Sequence, residues 1–261
     1  MPLWLLGLGM VGGAVLFSVL GLALVRRFVS PETLREHHDV AGFILAIVGV
    51  IYAVLLAFVV LVVWERYGTA EITAEREANA VVDTYRLASG FSTESKFRIR
   101  ADVRTYALSV VEKEWPVMSR GEVEDDTSRA LDNLWRVCAT TQTPQANQTV
   151  LLSQFIDRLT DVSDNRRLRL LASRTGVPHL MWMVLVLGGM ATIAFTFYFG
   201  LQKFSVQAGM TAILGGLIAL VLFLISALNY PFTGDLGVRP EAMQTAIERC
   251  QTIEDHEAGK R

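Results

Sequence analysis

The sequence is poor in cysteine and has no surplus of either charge. Its two cysteines, Cys138 and Cys250, are too few for a disulfide framework or a cysteine-rich metal site, and we expect two free thiols. Lysine and arginine total 24 against 26 aspartates and glutamates, so the net charge is only −2. A nucleic-acid-binding protein needs a basic surface. The composition therefore gives no support to a nucleic-acid partner.

Motifs of catalysis are also missing. The chain contains no His-Glu-x-x-His, no nucleophile elbow and no phosphate-binding loop ending in Gly-Lys-Ser/Thr. Only His37, His38 and Asp39 form a local cluster that could ligate a metal, and solvation at a membrane boundary explains them better. The sequence therefore predicts a protein that is not an enzyme, with no cofactor and no metal.

A glycine pattern near the N-terminus has two interpretations. Residues 7–12 spell the Gly-x-Gly-x-x-Gly fingerprint of dinucleotide-binding proteins, but that fingerprint has meaning only between a strand and a helix of a βαβ unit. No such unit can be found, and the surrounding residues are apolar on every side. Gly9 and Gly13, four residues apart, instead predict a close helix contact within a membrane.

Long stretches without a formal charge dominate the chain, which is 52% hydrophobic with a mean hydropathy of +0.38. Crossing a bilayer takes about 20 apolar residues in a helix, because the segment must pair its own backbone polar groups. Four stretches qualify as spans, and they are Leu3–Val25, Val40–Trp64, Pro178–Leu201 and Val206–Leu228. Residues 1–64 and 178–228 are therefore predicted to be the membrane-spanning parts of a multi-pass protein.

Residues 65–177 predict a helical domain outside the bilayer, inserted between spans two and three. Apolar residues recur at helical spacing, and none of the segments alternates with a period of two, so we expect an all-α bundle. The second span continues as a helix to Gly90, and three further helices cover Glu94–Trp115, Glu122–Thr141 and Gln148–Ser173. Pro116 is expected to end the first of these three. Their charged residues are interpreted as solvated surface, and residues 229–261 as a turn and a helix that packs on this domain.

The predicted spans contain no acidic or basic side chain apart from His179 at the end of the third. Ionisable groups inside a membrane normally mark proton relays and paths for charged substrates. A proton-driven pump within this chain alone is therefore not indicated. A pore whose narrowest part is apolar remains compatible with the sequence.

Three sets of residues carry a family resemblance. The first two resemble the bestrophins, which are four-span ion channels that assemble as pentamers, and the third, together with the Pro-Phe-x-Gly-Asp part of the second, resembles the bacterial bestrophin-like family. The first is the apolar and aromatic stretch from Tyr52 to Trp64, which is similar to the second bestrophin span. The second is the turn Asn229-Tyr230-Pro231-Phe232-Thr233-Gly234-Asp235 after span four. The third set is scattered over the chain and comprises Tyr106-Ala107, Val110-Val111, Glu114-Trp115-Pro116, Met118 and Val238-x-Pro-Glu.

The resemblance implies a bestrophin-like fold and a homo-oligomer, specifically a pentamer, in the inner (plasma) membrane. It also implies that the protein conducts inorganic ions and favours anions. It places the pore neck at Val50, Val54 and Phe58, which lie on one helix face because they are four residues apart. Of these three only Phe58 is aromatic, and aromatic edges are the positive feature that attracts anions.

The turn after span four carries a second implication. Its matching positions are Asn229, Pro231, Phe232, Gly234 and Asp235. Calcium-gated bestrophins have a run of acids here, whereas Asp235 is followed by Leu236 and Gly237, so we do not predict calcium gating.

The resemblance places the helical domain in the cytoplasm, whereas the arginines that flank the spans do not agree on one orientation. Two other functions fit the same topology. One is a non-conducting scaffold or an energy-coupling subunit of the stator kind, which works with a partner carrying an intramembrane acid. The other is a membrane sensor whose long second helix transmits a signal.

Overall fold

The protein is helical throughout the part of the chain that its structure describes. The computed structural model describes residues 3–30, 38–120, 122, 124–140 and 146–259, and no strand occurs within these ranges. The α-helices are α1 (Leu3–Phe28), α2 (His38–Leu87), α3 (Thr93–Ser109), α4 (Trp115–Met118), α5 (Asp125–Thr140), α6 (Ala146–Arg174), α7 (His179–Thr196), α8 (Phe204–Leu228) and α9 (Glu241–Ala258). The predicted all-α class is confirmed.

Four helices are long and apolar enough to cross a membrane, namely α1, α2, α7 and α8. They coincide with the four predicted spans, with boundaries that move by a few residues. α2 runs without a break for 50 residues, so the predicted continuation of the second span is confirmed as well. The helix ends in a single 3₁₀ turn at Ala88–Gly90.

The chain divides into two compact units. The first, called the span unit, comprises Met1–Glu65 and Gly176–Asn229, and the second, called the bundle unit, comprises Arg66–Thr175 and Tyr230–Arg261. The division falls within α2, at the position where the charge-free stretch ends.

Within the span unit, α1 packs against α8 through small residues. A Cβ added to Gly215 would lie 2.2 Å from the Ser18 hydroxyl, and one added to Gly7 would lie 3.1 Å from the Phe223 ring. Gly9 and Gly13, which we expected at such a contact, have no atom of another helix within 4 Å of an added Cβ. They lie about 160° and 120° around α1 from Gly7, so they face away from α8.

α2 packs on α7 in the same unit through a tyrosine seated over two glycines. A Cβ added to Gly188 would lie 2.8 Å from the Tyr52 ring, and one added to Gly189 would lie 2.8 Å from the Tyr52 hydroxyl. Its hydroxyl donates a hydrogen bond to the Leu185 carbonyl at 2.8 Å. This bond satisfies a buried polar atom and orients α2 against α7.

The bundle unit has an apolar core of the kind found in water-soluble helical proteins. Its fully buried side chains come from every helix of the unit, and the largest of them are Ile99, Tyr106, Met118, Leu134, Phe155, Leu159 and Met243. α9 contributes Met243, Ala246 and Cys250 to this core. Cys138 and Cys250 are free thiols, and burial raises the pKa of each to about 11.

The helix predicted to end before Pro116 continues past it. α3 passes into a π-helical turn at Val110–Glu114, and α4 then carries Pro116 in its first turn. Proline is tolerated there because the first-turn N–H groups have no partner within the helix. The wide π-turn directs both Glu114 and Trp115 into the core, where they are 0% and 8% exposed.

Candidate functional site

One side of α2 is apolar and uncovered. Val50, Val54, Phe58 and Leu61 form what we call the α2 face, and their side chains are 64%, 49%, 64% and 52% exposed. At about 100° per residue they fall within a sector of about 80°. Leu61 belongs to this face although it is not one of the three predicted neck positions.

The opposite side of α2 makes the contacts within the chain. Tyr52, Leu56, Val59 and Val63 are all at most 9% exposed. The three predicted neck residues therefore do not serve as packing residues among the described helices. An apolar stripe that its own chain leaves uncovered marks a surface for lipid, for another subunit or for a pore.

The turn after α8 is a compact loop in which the glycines have conformational roles. The Val238 N–H donates to the Pro231 carbonyl at 2.7 Å and closes the loop. Gly234 has a φ of +75°, which only glycine adopts readily, and a Cβ on Gly237 would lie 3.0 Å from the Thr233 carbonyl oxygen. The predicted turn residues are thus a structural unit with specific backbone requirements.

Phe232 anchors this turn in the core of the bundle unit. It is 5% exposed, and its ring meets the Trp115 ring edge-on with the centroids 5.6 Å apart. The Trp115 indole N–H donates to the Val238 carbonyl at 3.1 Å. Two residues of the family-like motifs, far apart in sequence, are therefore in direct contact. In the span unit, the Asn229 side chain accepts a hydrogen bond from the Val177 N–H at 2.6 Å.

Asp235 lines a cleft of about 360 Å³ beside the turn. Glu71 and Glu75 of α2 and Glu241 of α9 line the same cleft, so the fold supplies acids that the local sequence of the turn does not. Among the described residues, no three His, Cys, Asp or Glu side chains are placed to hold a metal ion. Of the cluster at the membrane boundary, His37 lies outside those residues, as do the side chains of His38 and Asp39.

A buried ion network lies at the centre of the bundle unit. Arg169, with no exposed side-chain area, donates to Glu77 at 2.6 and 3.0 Å and to Glu114 at 2.7 Å. Arg166 donates to Glu114 at 2.5 Å, and the Tyr106 hydroxyl donates to Glu77 at 2.7 Å. Two carboxylates thus face two guanidinium groups away from solvent.

The charges of this network compensate one another. Burial by itself lowers the pKa of Arg169, but the Glu77 and Glu114 carboxylates outweigh it and raise that pKa above its usual value. Burial, followed by the charge of Glu77, raises the pKa of Tyr106 well above its usual value. Tyr106 therefore stays a neutral donor and Arg169 stays a cation, as each hydrogen bond requires.

The network also reaches the turn after α8 through an aromatic contact. The Arg169 guanidinium lies over the Trp115 ring, 4.9 Å from its centroid, and Trp115 in turn contacts Phe232. A cation over an indole face is favourable, more so when both groups are shielded from water. The side chains of α2, α6 and the turn are thus connected within the bundle unit by continuous contacts.

Sequence reasoning missed this network because it interpreted charged residues as solvated surface. The buried side of α6 consists of Phe155, Leu159, Val162, Arg166 and Arg169, whereas two leucines of the same helix, Leu168 and Leu171, are 50% and 58% exposed. The signal was present in the spacing, since both arginines continue the apolar stripe at intervals of three and four. What the sequence did not show was the partner carboxylate of each.

Comparisons with known proteins identify the fold. A bacterial bestrophin homologue from Klebsiella pneumoniae, a point mutant, matches with a TM-score of 0.69 at 13% identity, over 94% of this chain and 98% of that one. Another crystal structure of the Klebsiella homologue matches with a TM-score of 0.64 at 14% identity, over 91% and 95% of the two chains. A point mutant of a membrane protein matches with a TM-score of 0.67 at 16% identity, over the same shares. The comparison with curated proteins finds no match.

The fold and the uncovered apolar helices define an all-α, multi-pass membrane protein. The Bestrophin-like domain matches residues 12–243, which is most of the chain. The chain belongs to the Bestrophin-like domain family. The resemblance inferred from the sequence motifs is thereby confirmed.

Proposed function

We propose that this protein is the subunit of a homo-oligomeric ion channel, and that five subunits surround one pore. Family membership and a bestrophin fold over more than nine-tenths of the chain support an ion channel as the kind of function. The pentamer follows from the family resemblance.

The observation that carries the proposal is the α2 face. A 50-residue helix uses its opposite side for contacts within the chain and leaves an apolar stripe containing Val50, Val54 and Phe58 uncovered. In a ring of subunits, such stripes form stacked apolar constrictions. A constriction of this kind gates by excluding water.

The proposed topology places residues 1–64 and 178–228 in the inner (plasma) membrane as spans. Residues 65–177 and the segment 229–261 lie outside the bilayer, on the cytoplasmic side. The apolar core and the charged exposed residues of the bundle unit, which are typical of a domain in water, support its placement outside the bilayer. The cytoplasmic side follows from the family resemblance.

The sign of the permeant ion is a separate matter. The resemblance favours anions, and in the neck only the positive ring edge of Phe58 supports that preference. Val50 and Val54 present aliphatic groups that do not discriminate by charge.

The proposal is tested by reconstituting the purified protein in a planar bilayer and recording current. We expect conductance in the wild type and an altered conductance in Phe58→Ala, which widens the neck. Phe17→Ala removes an exposed phenylalanine of α1 and should leave the current unchanged.

A particle image viewed along its axis tests the assembly independently and should show five subunits around a central opening. A protein that passes no current over a wide range of salt, pH and voltage would contradict the proposal. Co-purification of a single-span partner by such a silent protein would favour an energy-coupling subunit instead.

A further inference from the structure

Glu65 is the first charged residue after the apolar part of α2. It follows the charge-free stretch that ends at Trp64, and its side chain is exposed. It lies seven residues beyond Phe58, which is about 10 Å along a helix that rises about 1.5 Å per residue. Glu65 and the proposed neck residues belong to the same unit, so their positions on α2 can be compared directly.

Glu65 points to the same side of α2 as the neck residues. Seven steps of about 100° place it about 20° from Phe58, inside the sector of the α2 face. Arg66 lies a further 100° or so around the helix and leaves that sector. A carboxylate therefore continues the stripe formed by Val54, Phe58 and Leu61.

The Glu65 carboxylate has no direct bonding partner among the described residues. No ion pair or side-chain hydrogen bond to its carboxylate occurs within those ranges. Arg66, its neighbour in the sequence, lies outside the sector of the α2 face and has an interaction of its own.

We infer that Glu65 determines the sign of the permeant ion: its carboxylates, one from each subunit, form an acidic ring at one end of the apolar neck and favour cations over anions. The inference rests on the proposed function, because a single chain forms no ring. Rings of acidic side chains attract cations and repel anions, and a formal charge acts more strongly than the edge of a neutral aromatic ring.

The test is the reversal potential of the reconstituted channel in a gradient of potassium chloride. We expect the wild type to pass potassium in preference to chloride, and Glu65→Gln, which keeps the shape of the side chain, to lower that permeability ratio by about tenfold. Glu65→Lys should invert the preference. Glu71→Gln is the matched control, because Glu71 is an exposed acid of α2 about 120° around the helix from Glu65.

Each outcome decides a different point. A conducting wild type that prefers chloride, or a Glu65→Gln channel with an unchanged ratio, would overturn the inference and leave the proposed function standing. Absence of current from the wild type would overturn both. If Glu65→Lys fails to assemble, as judged by size-exclusion chromatography, the uncharged Gln variant still gives the answer.

Discussion

The two units of this molecule treat polar and apolar side chains in opposite ways. The span unit exposes Val50, Val54 and Phe58 and holds its helices together through glycines and single hydrogen bonds such as that of Tyr52. The bundle unit buries its aliphatic and aromatic residues and also buries Glu77, Glu114 and Arg169.

The difference reflects the solvent of each unit. Among lipid tails, exposure of a leucine or valine side chain carries no free-energy penalty, so association of helices depends on close packing of small residues. In water, burial of apolar surface drives folding, and a charge can be buried only if it is paired and hydrogen-bonded. The single helix α2 follows the membrane rule before Glu65, where most of its apolar side chains are exposed, and the water rule after Glu65, where most of its apolar side chains are buried.

The largest effect is expected from Arg169→Met, which tests whether the bundle unit depends on its buried charges. The substitution leaves Glu77 without its cationic partner and removes one of the two guanidinium groups that bond Glu114, and such a loss costs about 3–5 kcal/mol. Thermal unfolding of the purified protein in detergent measures it. Arg167→Met is the control, since Arg167 is 77% exposed and its pair with Asp164 contributes at most about 1 kcal/mol. Equal effects of the two variants would contradict the buried network.

A pair of identical substitutions compares the units directly. Phe155→Ala removes a ring that is 0% exposed in the bundle unit and should cost about 3 kcal/mol. Phe58→Ala removes a ring that is 64% exposed in the span unit and should change the free energy of unfolding by no more than about 0.5 kcal/mol. Chemical unfolding followed by tryptophan fluorescence measures both. A large loss for Phe58→Ala would mean that the α2 face is a packing surface.

Adjacent glycines of α8 test the packing rule of the span unit. Gly215→Ala would place a Cβ 2.2 Å from the Ser18 hydroxyl, so α1 and α8 must shift or Ser18 must rotate, at a cost of about 1–2 kcal/mol. In Gly216→Ala the new Cβ would lie 3.6 Å from a Val15 methyl, which is an ordinary van der Waals distance, so no loss of stability is expected. Thermal midpoints in detergent distinguish the two variants, and equal midpoints would refute the close contact.

The smallest effect concerns the surface charges of the bundle unit and depends on pH. Hydrogen bonds from Arg100, Lys96 and Ser89 lower the pKa of Glu257 from 4.5 to about 2. Because the folded state has the lower pKa, this carboxylate stabilises the protein above pH 4.5, and the contribution is lost as the pH falls from about 4.5 to about 2.

The measurement is the difference between the unfolding midpoints of the wild type and Glu257→Gln over that pH range. The difference should be present near pH 6 and vanish at the acidic end. It should be small, because the Glu257 side chain is 37% exposed and solvent screens its ion pairs. A constant difference would show that the variant acts through shape alone.

Much of the architecture could be predicted from the sequence because the features that indicate it extend over many residues. The four spans each extend over about twenty residues without a formal charge, and no proline interrupts α2 in either part, so local context could not override these signals. Short signals were less reliable. Pro116 does not end its helix because a π-turn precedes it, and Gly9 and Gly13 make no helix contact within the described part of the chain although the spacing favours one.

The sequence by itself determined that the chain is an all-α membrane protein of the bestrophin-like family, because charge-free length and motif residues are properties of the chain alone. Only the tertiary structure decided which sides of the helices are covered. Burial of Glu77, Arg166 and Arg169 depends on hydrogen-bond partners that lie from 29 to 92 residues away in the sequence. Pairing over such distances has no local signature, since the position of a charged residue on its own helix does not identify a partner on another helix.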